Sequence, residues 1–600
     1  MTVNFFSPTM LKSYLNCRYI IFNEANKKKL GLKKKEKNIS DLKRLESGNL
    51  HEDKYFEVLK KKYSKVINLK DLKISKEEKF LKTVEHMKLG FDIIRGGYLK
   101  DGKWYGEFDF LEKNKNIKSN FGDYSYEVID TKNTLGVKTD HIIQVGMYSY
   151  LLEKAQGVLP KSFYILLKDS KKEEIKLSQV GDFFKESKIQ YEDFIKKDLD
   201  NAKPEKCSFC SICDWQDECE KIWINKRHLN QVGGNNKNYI KKFNKNDIYT
   251  IDELAEIDTK KKIDNLKVEA LEKLKRQAQL QLQYETTGNP CFEIIEKNIS
   301  EPKGFNLIPK PSNVDLFFDL ESVPEYVYPG KLEYLFGLYF VENGKENYIP
   351  FWAHSKEEEK KSLKQFFKFT KDHFKKYPDA RIYHYASYEI TALEKLTSYH
   401  KVHNIDYDHY LHLGKFVDLF RITKQAILVS ENSYSIKNLE KFYNFKREGD
   451  VQKGDKSEQY YIEWMETKNN KLLDELQFYN MQDCKSTYEL RQWILSIKPE
   501  STKWLVPSKE IIELREKEIK FLDYQDKLDE TKIKDKELIN ILKDIHGFYN
   551  RENKPDWREY FYRKYFSHEE LVDDIECIGN MKKVGPVTQE KQSYIFTYTF

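Results

Sequence analysis

The side chains of this sequence with the clearest potential for chemistry are acidic groups in its second half. Asp319 and Glu321 lie two residues apart at the end of a hydrophobic segment, which predicts a buried strand with both carboxylates on one side of a sheet. Glu389 begins a predicted helix directly after another strand-like segment, and Tyr479 and Asp483 are one helical turn apart. Converging carboxylates can hold two divalent cations ~3.5–4 Å apart, one activating water and the other stabilising the leaving oxygen. This pattern therefore predicts hydrolysis of phosphodiester bonds.

A second acidic group lies in the first third of the chain. Asp109 is late in one predicted strand, and Asp130 and Lys132 are two residues apart at the end of the next, on the same face. Carboxylates on neighbouring strands can share Mg2+ or Mn2+, and a lysine beside them can orient or help to deprotonate water. The Asp-x-Lys spacing is common by chance in a chain with 104 Lys+Arg and 97 Asp+Glu. The prediction therefore depends on the surrounding motifs.

Cysteines form a third group, since four of the eight lie in the segment CSFCSICDWQDEC. Cys210 and Cys213 have the C-x2-C spacing that lets two thiolates bind one metal ion or cluster, and Cys219 follows closely. Cys207 offers an alternative C-x2-C pair with Cys210. Eight cysteines in a chain of this length do not suggest a disulfide framework, so the clustering predicts a metal centre. The cysteines predicted to be packed or inert are Cys291, Cys484 and Cys577.

The motifs around the first acidic group resemble the RecB-like branch of the PD-(D/E)xK nucleases. In chain order they are G-x-x-H, G-x-x-D-F, D-x-K and Q-x-x-x-Y, found at Gly48 and His51, Gly106 and Asp109, Asp130 and Lys132, and Gln144 and Tyr148. The resemblance implies that His51 is a metal ligand in addition to Asp109 and Asp130. It also implies that Gln144 and Tyr148, one turn apart on a helix, support the site or contact DNA. An ordinary surface histidine is the alternative for His51.

The same resemblance implies the cofactor of the cysteine group. Iron-sulfur nucleases of this type pair one cysteine before the nuclease core with three after it. Trp215 matches their C-x2-C-x-W pattern, which favours Cys210 and Cys213 over a pair that includes Cys207. The implied cofactor is a 4Fe-4S cluster, with structural Zn2+ as the alternative. The implied ligands are Cys17, Cys210, Cys213 and Cys219.

The acidic group of the second half resembles the DEDD exonucleases of the RNase H-like superfamily, most closely the YprB-type domain. The resemblance implies that Tyr479 positions water and that four carboxylates bind Mg2+ or Mn2+, namely Asp319, Glu321, Glu389 and Asp483. Glu389 departs from the family pattern, in which Asp is more usual. Asp418 is either a further acidic group of the site or the cap of the following helix. The segment Asn432–Tyr443 also resembles the family, and we expect it to form packing helices without chemistry.

Hydrophobic periodicity predicts the elements that position these groups. Between Leu45 and Leu167 it predicts a helix, three strands, a helix and a strand, with an Asp101-Gly102 hairpin turn. A long charged helix over 263–284 ends at Gly288. From Val314 the pattern predicts three strands in hairpin order, then a helix, a strand and a helix.

The predicted fold class is α/β and multidomain, with a PD-(D/E)xK restriction-endonuclease-like core, a helical connector and an RNase H-like mixed sheet. A length of 600 residues exceeds what one core supports, which is about 250–300 residues. The predicted domains are a RecB-like nuclease with its cluster at 1–225, the connector at 226–300, the YprB-like exonuclease domain at 301–500 and a region of unknown role at 501–600.

Composition limits the function class only weakly. Hydrophobic residues make up 39% and aromatics 14%, which is enough for several cores, so the chain is not disordered. A formal net charge of +7 is a weak argument for a polyanionic partner. There is no run of about 18 apolar residues, and the first residues lack the order of a secretory signal. We therefore expect a cytoplasmic protein without a membrane partner.

Together the motifs cover nearly the whole chain and resemble RecB-like nucleases that carry a ribonuclease H-like domain. The resemblance implies a metal-dependent nuclease whose partner is nucleic acid, DNA rather than RNA, with single-stranded ends as substrate in repair, recombination or defence. Family members often continue into a superfamily 1 helicase, which implies such a helicase as a partner of this chain, fused or separate. The motif G-x4-G-K-[ST] does not occur here, so we expect no ATP hydrolysis by this chain. The alternatives are an RNA-processing 3'-5' exonuclease and a non-catalytic nucleic-acid clamp in which one site has decayed.

Overall fold

The protein is built from two mixed β-sheets, each covered by helices, with a small helical unit between them. The computed structural model describes residues 6–260, 262–264, 266–295, 303–449 and 454–505, and from 513 onward chiefly 530–548, 581–590 and 593–599. Within this part of the chain, no helix combines the length and the apolar character needed to cross a membrane.

The first sheet has six strands in the order β1-β2-β5-β6-β7-β8. Its strands, with those of a separate β3–β4 hairpin, are β1 Val66–Asn68, β2 Ile93–Arg95, β3 Tyr98–Asp101, β4 Trp104–Glu107, β5 Phe110–Asn114, β6 Ser125–Thr131, β7 Ser162–Leu166 and β8 Lys172–Lys176. The sheet is mixed, because β6 pairs with β5 in antiparallel and with β7 in parallel orientation. The β3–β4 hairpin turns at Gly102, whose φ of 57° is left-handed, as the Asp-Gly pair predicts.

Helices cover both faces of this sheet. They are α1 Pro8–Asn16, α2 Arg18–Leu30, α3 Ile39–Lys62, α4 Lys76–Lys88, α5 Thr139–Gln156 and α6 Leu177–Lys197. The larger core lies between the sheet and helices α1, α5 and α6, and it is centred on aromatic side chains such as Tyr126, Phe163 and Phe184. A smaller core packs α3 against the opposite face through Phe56 and Leu59.

The helices that follow are α7 Gln216–Asn225, α8 Lys237–Asn244, α9 Ile251–Glu256 and α10 Val268–Thr287. The last three share a separate core with Leu229, which includes Phe243 and Leu274. Gly288 ends α10 in the left-handed conformation with φ 69°, which agrees with the predicted helix end. Gln277 on α10 donates a hydrogen bond to the backbone oxygen of Val429 at 2.6 Å, so this unit is attached to the second half of the chain.

The second sheet has five strands in the order β12-β11-β10-β13-β14. Its strands are β10 Leu316–Val323, β11 Leu332–Glu342, β12 Lys345–Trp352, β13 Ile382–His384 and β14 Phe416–Asp418, while β9 Phe292–Ile294 and β15 Ile427–Val429 pair with each other outside it. β10, β11 and β12 are antiparallel, and β13 and β14 continue from β10 in parallel. Asn343 and Gly344, with φ of 53° and 74°, make the predicted tight turn between β11 and β12.

Helices again cover this sheet on both sides, and one of them crosses the site described below. They are α11 Lys356–Lys376, α12 Tyr388–His400, α13 Asn404–His412, α14 Leu419–Ala426, α15 Ile436–Leu439, α16 Gly454–Thr467 and α17 Asn470–Ile497. One core holds Phe317, Tyr383 and Leu490, and the other holds Phe318, Phe336 and Phe366. The alternation of residues 317 and 318 between these cores shows that β10 is buried on both faces.

Further elements lie in the last hundred residues, about which the sequence makes no prediction. They are helix α18 Lys536–His546 and the hairpin strands β16 Lys582–Glu590 and β17 Ser593–Thr599.

Two features of the first half differ from the predictions. The predicted strand that included Asp109 is interrupted, because β4 ends at Glu107 and β5 begins at Phe110 in another sheet. Asp109 thus lies at the junction of the hairpin and the large sheet. The short strands β1 and β2 and the helix α4 have no counterpart in the predicted element order.

Candidate functional site

Three of the predicted carboxylates meet on the second sheet. Asp319 and Glu321 extend from β10, and Asp483 extends from the long helix α17 that crosses it. Their nearest oxygens all lie within 4.8 Å of one another, which is close enough to share a cation. The register of β10 against β11 shifts by one residue directly after Glu321, where the carboxylates meet, and the pairing then continues to Val323.

Each of these carboxylates is oriented by a neighbouring side chain. Asn480 Nδ2 donates to Asp319 Oδ2 at 2.7 Å, and Ser457 Oγ on α16 donates to Glu321 Oε2 at 2.9 Å. Arg447 pairs with Asp483 Oδ1 at 2.6 Å. Partners of this kind restrict the direction in which a ligand carboxylate can present its free oxygen.

The electrostatics of this group favour a bound cation. Burial and the negative charges of Asp483 and Glu321 raise the pKa of Asp319 well above its usual range. Burial, followed by the charge of Asp483, raises the pKa of Glu321 to about 8. Without a positive partner, the buried carboxylates resist ionisation together, and a divalent cation removes that repulsion.

Glu389 lies beside the triad on the first turn of α12. Burial, together with the charges of Asp418 and Asp483, raises the pKa of Glu389 to about 8. Its Oε2 is buried without a hydrogen-bond partner among the described residues. Asp418 acts as a helix cap, because its Oδ1 accepts from the backbone N–H of Phe420 at 2.9 Å and of Ala386 at 3.0 Å. Of the two readings of Asp418, the structure thus shows the capping one.

Tyr479 faces the same centre. Two positively charged side chains that were not predicted from the sequence, Lys437 and Arg447, lie beside it. Lys437 Nζ donates to Tyr479 Oη at 3.0 Å, and the guanidinium of Arg447 lies 5.7 Å from the Tyr479 ring centre. Arg447 also makes a bidentate pair with Glu440. The segment that contains Lys437 resembles the family in sequence, and that resemblance is the signal that could have identified it.

The first acidic group lines a cleft of about 570 Å³ in the first half of the chain. Asp109 Oδ2 accepts from both the backbone N–H and the hydroxyl of Thr131 at 2.7 Å. Asp130 pairs with Lys132, and both line the cleft with Asp109. Burial and the charge of Asp130 raise the pKa of Asp109 to about 6. The predicted strand ends therefore bring two carboxylates and a lysine to one wall.

The helix residues predicted beside this cleft form a chain of hydrogen bonds. Lys132 Nζ donates to Gln144 Oε1 at 3.2 Å, and Gln144 Nε2 donates to Tyr148 Oη at 3.0 Å. His51 Nε2 lies 3.5 Å from the backbone oxygen of Leu166. Gly48 and Glu52 on the same helix line the cleft, and His51 is not among its lining residues. Its role as a ligand stays a prediction.

Five cysteines line one small pocket at the edge of the first unit: Cys17, Cys207, Cys210, Cys213 and Cys219. The four predicted ligands thus come together although Cys17 is distant in sequence. Cys207 joins them, with its Sγ 3.9 Å from Cys210 Sγ. Burial raises the pKa of the Cys219 thiol to about 12, with the charges of the neighbouring cysteines adding to the effect. The raised pKa keeps this thiol neutral unless a positive partner stabilises its thiolate.

Comparison with known proteins applies to the second sheet and its helices. A family model of the RNase H superfamily, RNase_H_2, matches residues 316–495. Among curated proteins, none matches the chain with significant similarity. The matched range contains the triad Asp319, Glu321 and Asp483, which suits the divalent metals that RNase H-like nucleases use. Residues 316–495 therefore form an RNase H-like domain, and a domain of this kind indicates a nuclease.

Proposed function

We propose that this protein is a metal-dependent nuclease with two phosphodiesterase centres, acting on single-stranded DNA ends. The observation that carries the proposal is the convergence of Asp319, Glu321 and Asp483 within 4.8 Å, with Glu389 buried beside them. Burying three carboxylates this close together, with a fourth beside them, is costly unless a cation is bound. Bound there, divalent cations supply hydroxide at neutral pH and stabilise the leaving oxygen.

The residues around the RNase H-like centre have separate tasks. Asn480, Ser457 and Arg447 hold the carboxylates in one orientation, so little reorganisation is needed when a cation binds. Tyr479 lies one helical turn before Asp483, where its hydroxyl can orient the attacking water. Burial of the centre excludes bulk water and strengthens each of these interactions.

The first cleft supports a second centre of the PD-(D/E)xK, RecB-like type. Asp109 and Asp130 would hold the cation there, and Lys132 would stabilise charge on the phosphate. Gln144 links Lys132 to Tyr148, which restricts the position of the ammonium group. A cleft of about 570 Å³ accommodates one or two nucleotides.

The cysteine pocket supports an iron-sulfur cluster over a single zinc ion. Tetrahedral zinc requires sulfur atoms about 3.8 Å from one another, as Zn–S distances near 2.3 Å dictate. Cys207 Sγ and Cys210 Sγ have that spacing, at 3.9 Å, but among the described residues no three cysteine sulfurs lie within 4.8 Å of one another. This wider spacing suits a 4Fe-4S cluster held by Cys17, Cys210, Cys213 and Cys219. Iron, sulfide and zinc analysis of anaerobically purified protein distinguishes the two, and zinc alone would contradict the cluster.

Separate variants of the two centres test the nuclease proposal. We expect Asp319→Asn and Asp130→Asn each to remove one metal-dependent activity on labelled oligonucleotides, by roughly a hundredfold or more, and the double variant to remove both. Asp123→Asn and Glu346→Gln, exposed acidic positions paired with Lys118 and Lys485, are matched controls that keep the parent rate. Parent activity in the double variant would contradict the proposal.

A comparison of polymers distinguishes a DNA nuclease from an RNA-processing exonuclease and from a non-catalytic clamp. Single- and double-stranded DNA and RNA are compared with Mg2+ and with Mn2+, and we expect single-stranded DNA to be cleaved fastest. Faster cleavage of RNA would favour an RNA-processing exonuclease, since 2'-OH contacts decide between the polymers. Tight binding without cleavage in the parent would favour a clamp. A superfamily 1 helicase is the partner we propose, and stimulation of cleavage by ATP-driven unwinding tests it.

A further inference from the structure

Lys437 lies in the wall of the RNase H-like centre that faces Tyr479. It is the second residue of α15, a single turn whose start is capped by Ser435 Oγ, which accepts from the N–H of Asn438. This turn packs against α17, the helix that carries Tyr479 and Asp483. Lys437 is half-buried there, and its Nζ lies 3.0 Å from Tyr479 Oη.

The direction of this hydrogen bond has a chemical consequence. An ammonium group only donates, so Tyr479 Oη must be the acceptor. A phenol that accepts in this way keeps its own proton for another acceptor. Within the described residues, Tyr479 Oη donates to no side chain or backbone group, while the carboxylates of Asp483 and Glu321 lie near enough to influence it electrostatically. Its proton is therefore available to an oxygen that enters the centre.

We propose that Lys437 is a positioning residue that holds Tyr479 as a hydrogen-bond donor toward the attacking water or a phosphate oxygen. The inference rests on the proposed nuclease function and deepens it. Lys437 donates a hydrogen bond to the Tyr479 hydroxyl, whereas Arg447 forms ion pairs with Asp483 and Glu440 and contacts only the ring of Tyr479. Of the two cations, Lys437 is the one that donates to the Tyr479 hydroxyl.

A nearby lysine shows what an ordinary surface lysine looks like in this segment. Lys441 lies four residues further on and pairs with Glu431 at 2.8 Å, with its side chain 43% exposed. It also lies beside Tyr284, away from the triad. Lys441→Met therefore removes the same charge from the same segment without touching Tyr479, and it is the matched control.

The test uses the full chain with the first centre inactivated by Asp130→Asn, so that cleavage reports the RNase H-like centre. In this background we compare Lys437→Met, Lys437→Arg, Tyr479→Phe and the double variant of Lys437→Met with Tyr479→Phe. We expect Lys437→Met to lower kcat about 10- to 100-fold with KM changed less than about threefold. We expect Lys437→Arg to recover part of the loss, because arginine also donates to the phenol oxygen.

Non-additivity is the decisive result. If Lys437 acts through Tyr479, the double variant is no slower than Tyr479→Phe alone, within about twofold. Additive losses, or a parent rate in Lys437→Met, would overturn the inference. A purely structural role would instead lower the unfolding midpoint and affect Lys437→Met and Lys437→Arg alike, which also overturns it. Lys441→Met is expected to keep the parent kcat.

Calorimetric titration with Mn2+ separates this inference from the proposed function. We expect Lys437→Met to bind Mn2+ at least as tightly as the parent, because the three converging carboxylates remain and a positive charge near Asp483 and Glu321 is removed. Asp319→Asn is expected to lose both Mn2+ binding and cleavage. If Asp319→Asn cleaves like the parent, the nuclease assignment of this centre itself fails. If Asp319→Asn is inactive and Lys437→Met is unaffected, only the role of Lys437 is rejected.

Discussion

At the scale of single residues, the main property of the RNase H-like centre is crowding of like charge. Burial raises the pKa values of Glu321 and Glu389 to about 8, and neighbouring carboxylates contribute to both shifts. Their folded-state pKa values therefore lie above the value of about 4.3 expected for glutamate in the unfolded chain. The folded protein binds more protons than the unfolded chain between these limits. Its stability without metal must fall as the pH rises through this range.

The fall in metal-free stability with rising pH leads to a prediction about thermal unfolding. Without divalent cations, we expect the RNase H-like domain to unfold at lower temperature at pH 8 than at pH 6, and Mn2+ to raise the unfolding midpoint more at pH 8. Asp319→Asn removes one of the repelling carboxylates, so it should raise the metal-free midpoint at pH 8 by about 3–6 °C, roughly 1–2 kcal/mol. Differential scanning calorimetry with EDTA or Mn2+ measures both effects.

The control for this measurement is Glu346→Gln, which removes an exposed carboxylate paired with Lys485. It should leave the difference between pH 6 and pH 8 unchanged. A midpoint in Asp319→Asn that is lower than the parent's at pH 8 would show that the carboxylates are held by protein contacts that outweigh their repulsion.

At the scale of elements, the centre depends on close contact between strand β11 and helix α17. A Cβ atom added at Gly337 would lie 1.7 Å from Asn480 Oδ1 and 2.8 Å from its Cγ. Asn480 cannot give way freely, because it donates to Asp319 and accepts from Tyr348 Oη at 2.8 Å. The absence of a side chain at Gly337 is therefore part of the positioning of Asp319.

Gly337→Ala tests this contact. We expect a loss of about 1–3 kcal/mol in the free energy of unfolding from overpacking, and a loss of tenfold or more in cleavage by the RNase H-like centre. Urea unfolding and the oligonucleotide assay in the Asp130→Asn background measure the two effects. Gly136→Ala, where an added Cβ meets nothing within 4 Å, is the control and should change neither. Parent activity in Gly337→Ala would mean that Asn480 is not needed to orient Asp319.

The elements also show what the sequence could reveal. The Asp-Gly and Asn-Gly turns, the hydrophobic strands β10 and β11 and the Y-x-x-x-D turn of α17 have local patterns, and the structure confirms each of them. Spacing predicted that Asp319 and Glu321 share a face, and the family resemblance added Asp483, which the structure brings to the same place. Strands β1 and β2 have three residues each, too few for a period-two pattern to be visible.

The residues that sequence reasoning missed have no periodic pattern around them. Lys437 lies on a four-residue turn and Arg447 in an irregular segment beyond it, so periodicity assigns neither to a face. Both reach the centre because α17 and the sheet bring distant segments together. The break in the predicted strand at Asp109 was missed for a related reason. The hydrophobic alternation continues from β4 into β5, although the two strands belong to different sheets.

At the scale of the molecule, the two halves have separate cores joined by polar contacts. The aromatic core around Tyr126 and Phe163 shares no residue with the cores around Phe317 and Phe366. Between them, Lys43 on α3 pairs with Glu466 on α16 at 2.7 Å, with both side chains partly exposed. Exposed pairs of this kind contribute at most about 1 kcal/mol each. The halves are therefore expected to unfold as separate units.

Calorimetry of the full chain tests this expectation. We expect two transitions, each shifted upward by Mn2+ because each half carries its own carboxylates. Asp130→Asn should abolish the shift of one transition and Asp319→Asn the shift of the other. A single transition that both substitutions affect equally would show that the halves unfold together.

The cysteine pocket also constrains the order in which the chain can fold. Cys17 and Cys219 line the same pocket, although about two hundred residues separate them. Protein synthesis proceeds at about 5–20 residues per second. Cys219 is therefore synthesised at least about ten seconds after Cys17. Until then the part of the pocket formed by Cys207–Cys219 is missing beside α1 and α2. During this time the thiol of Cys17 is accessible to other metal ions and to oxidants.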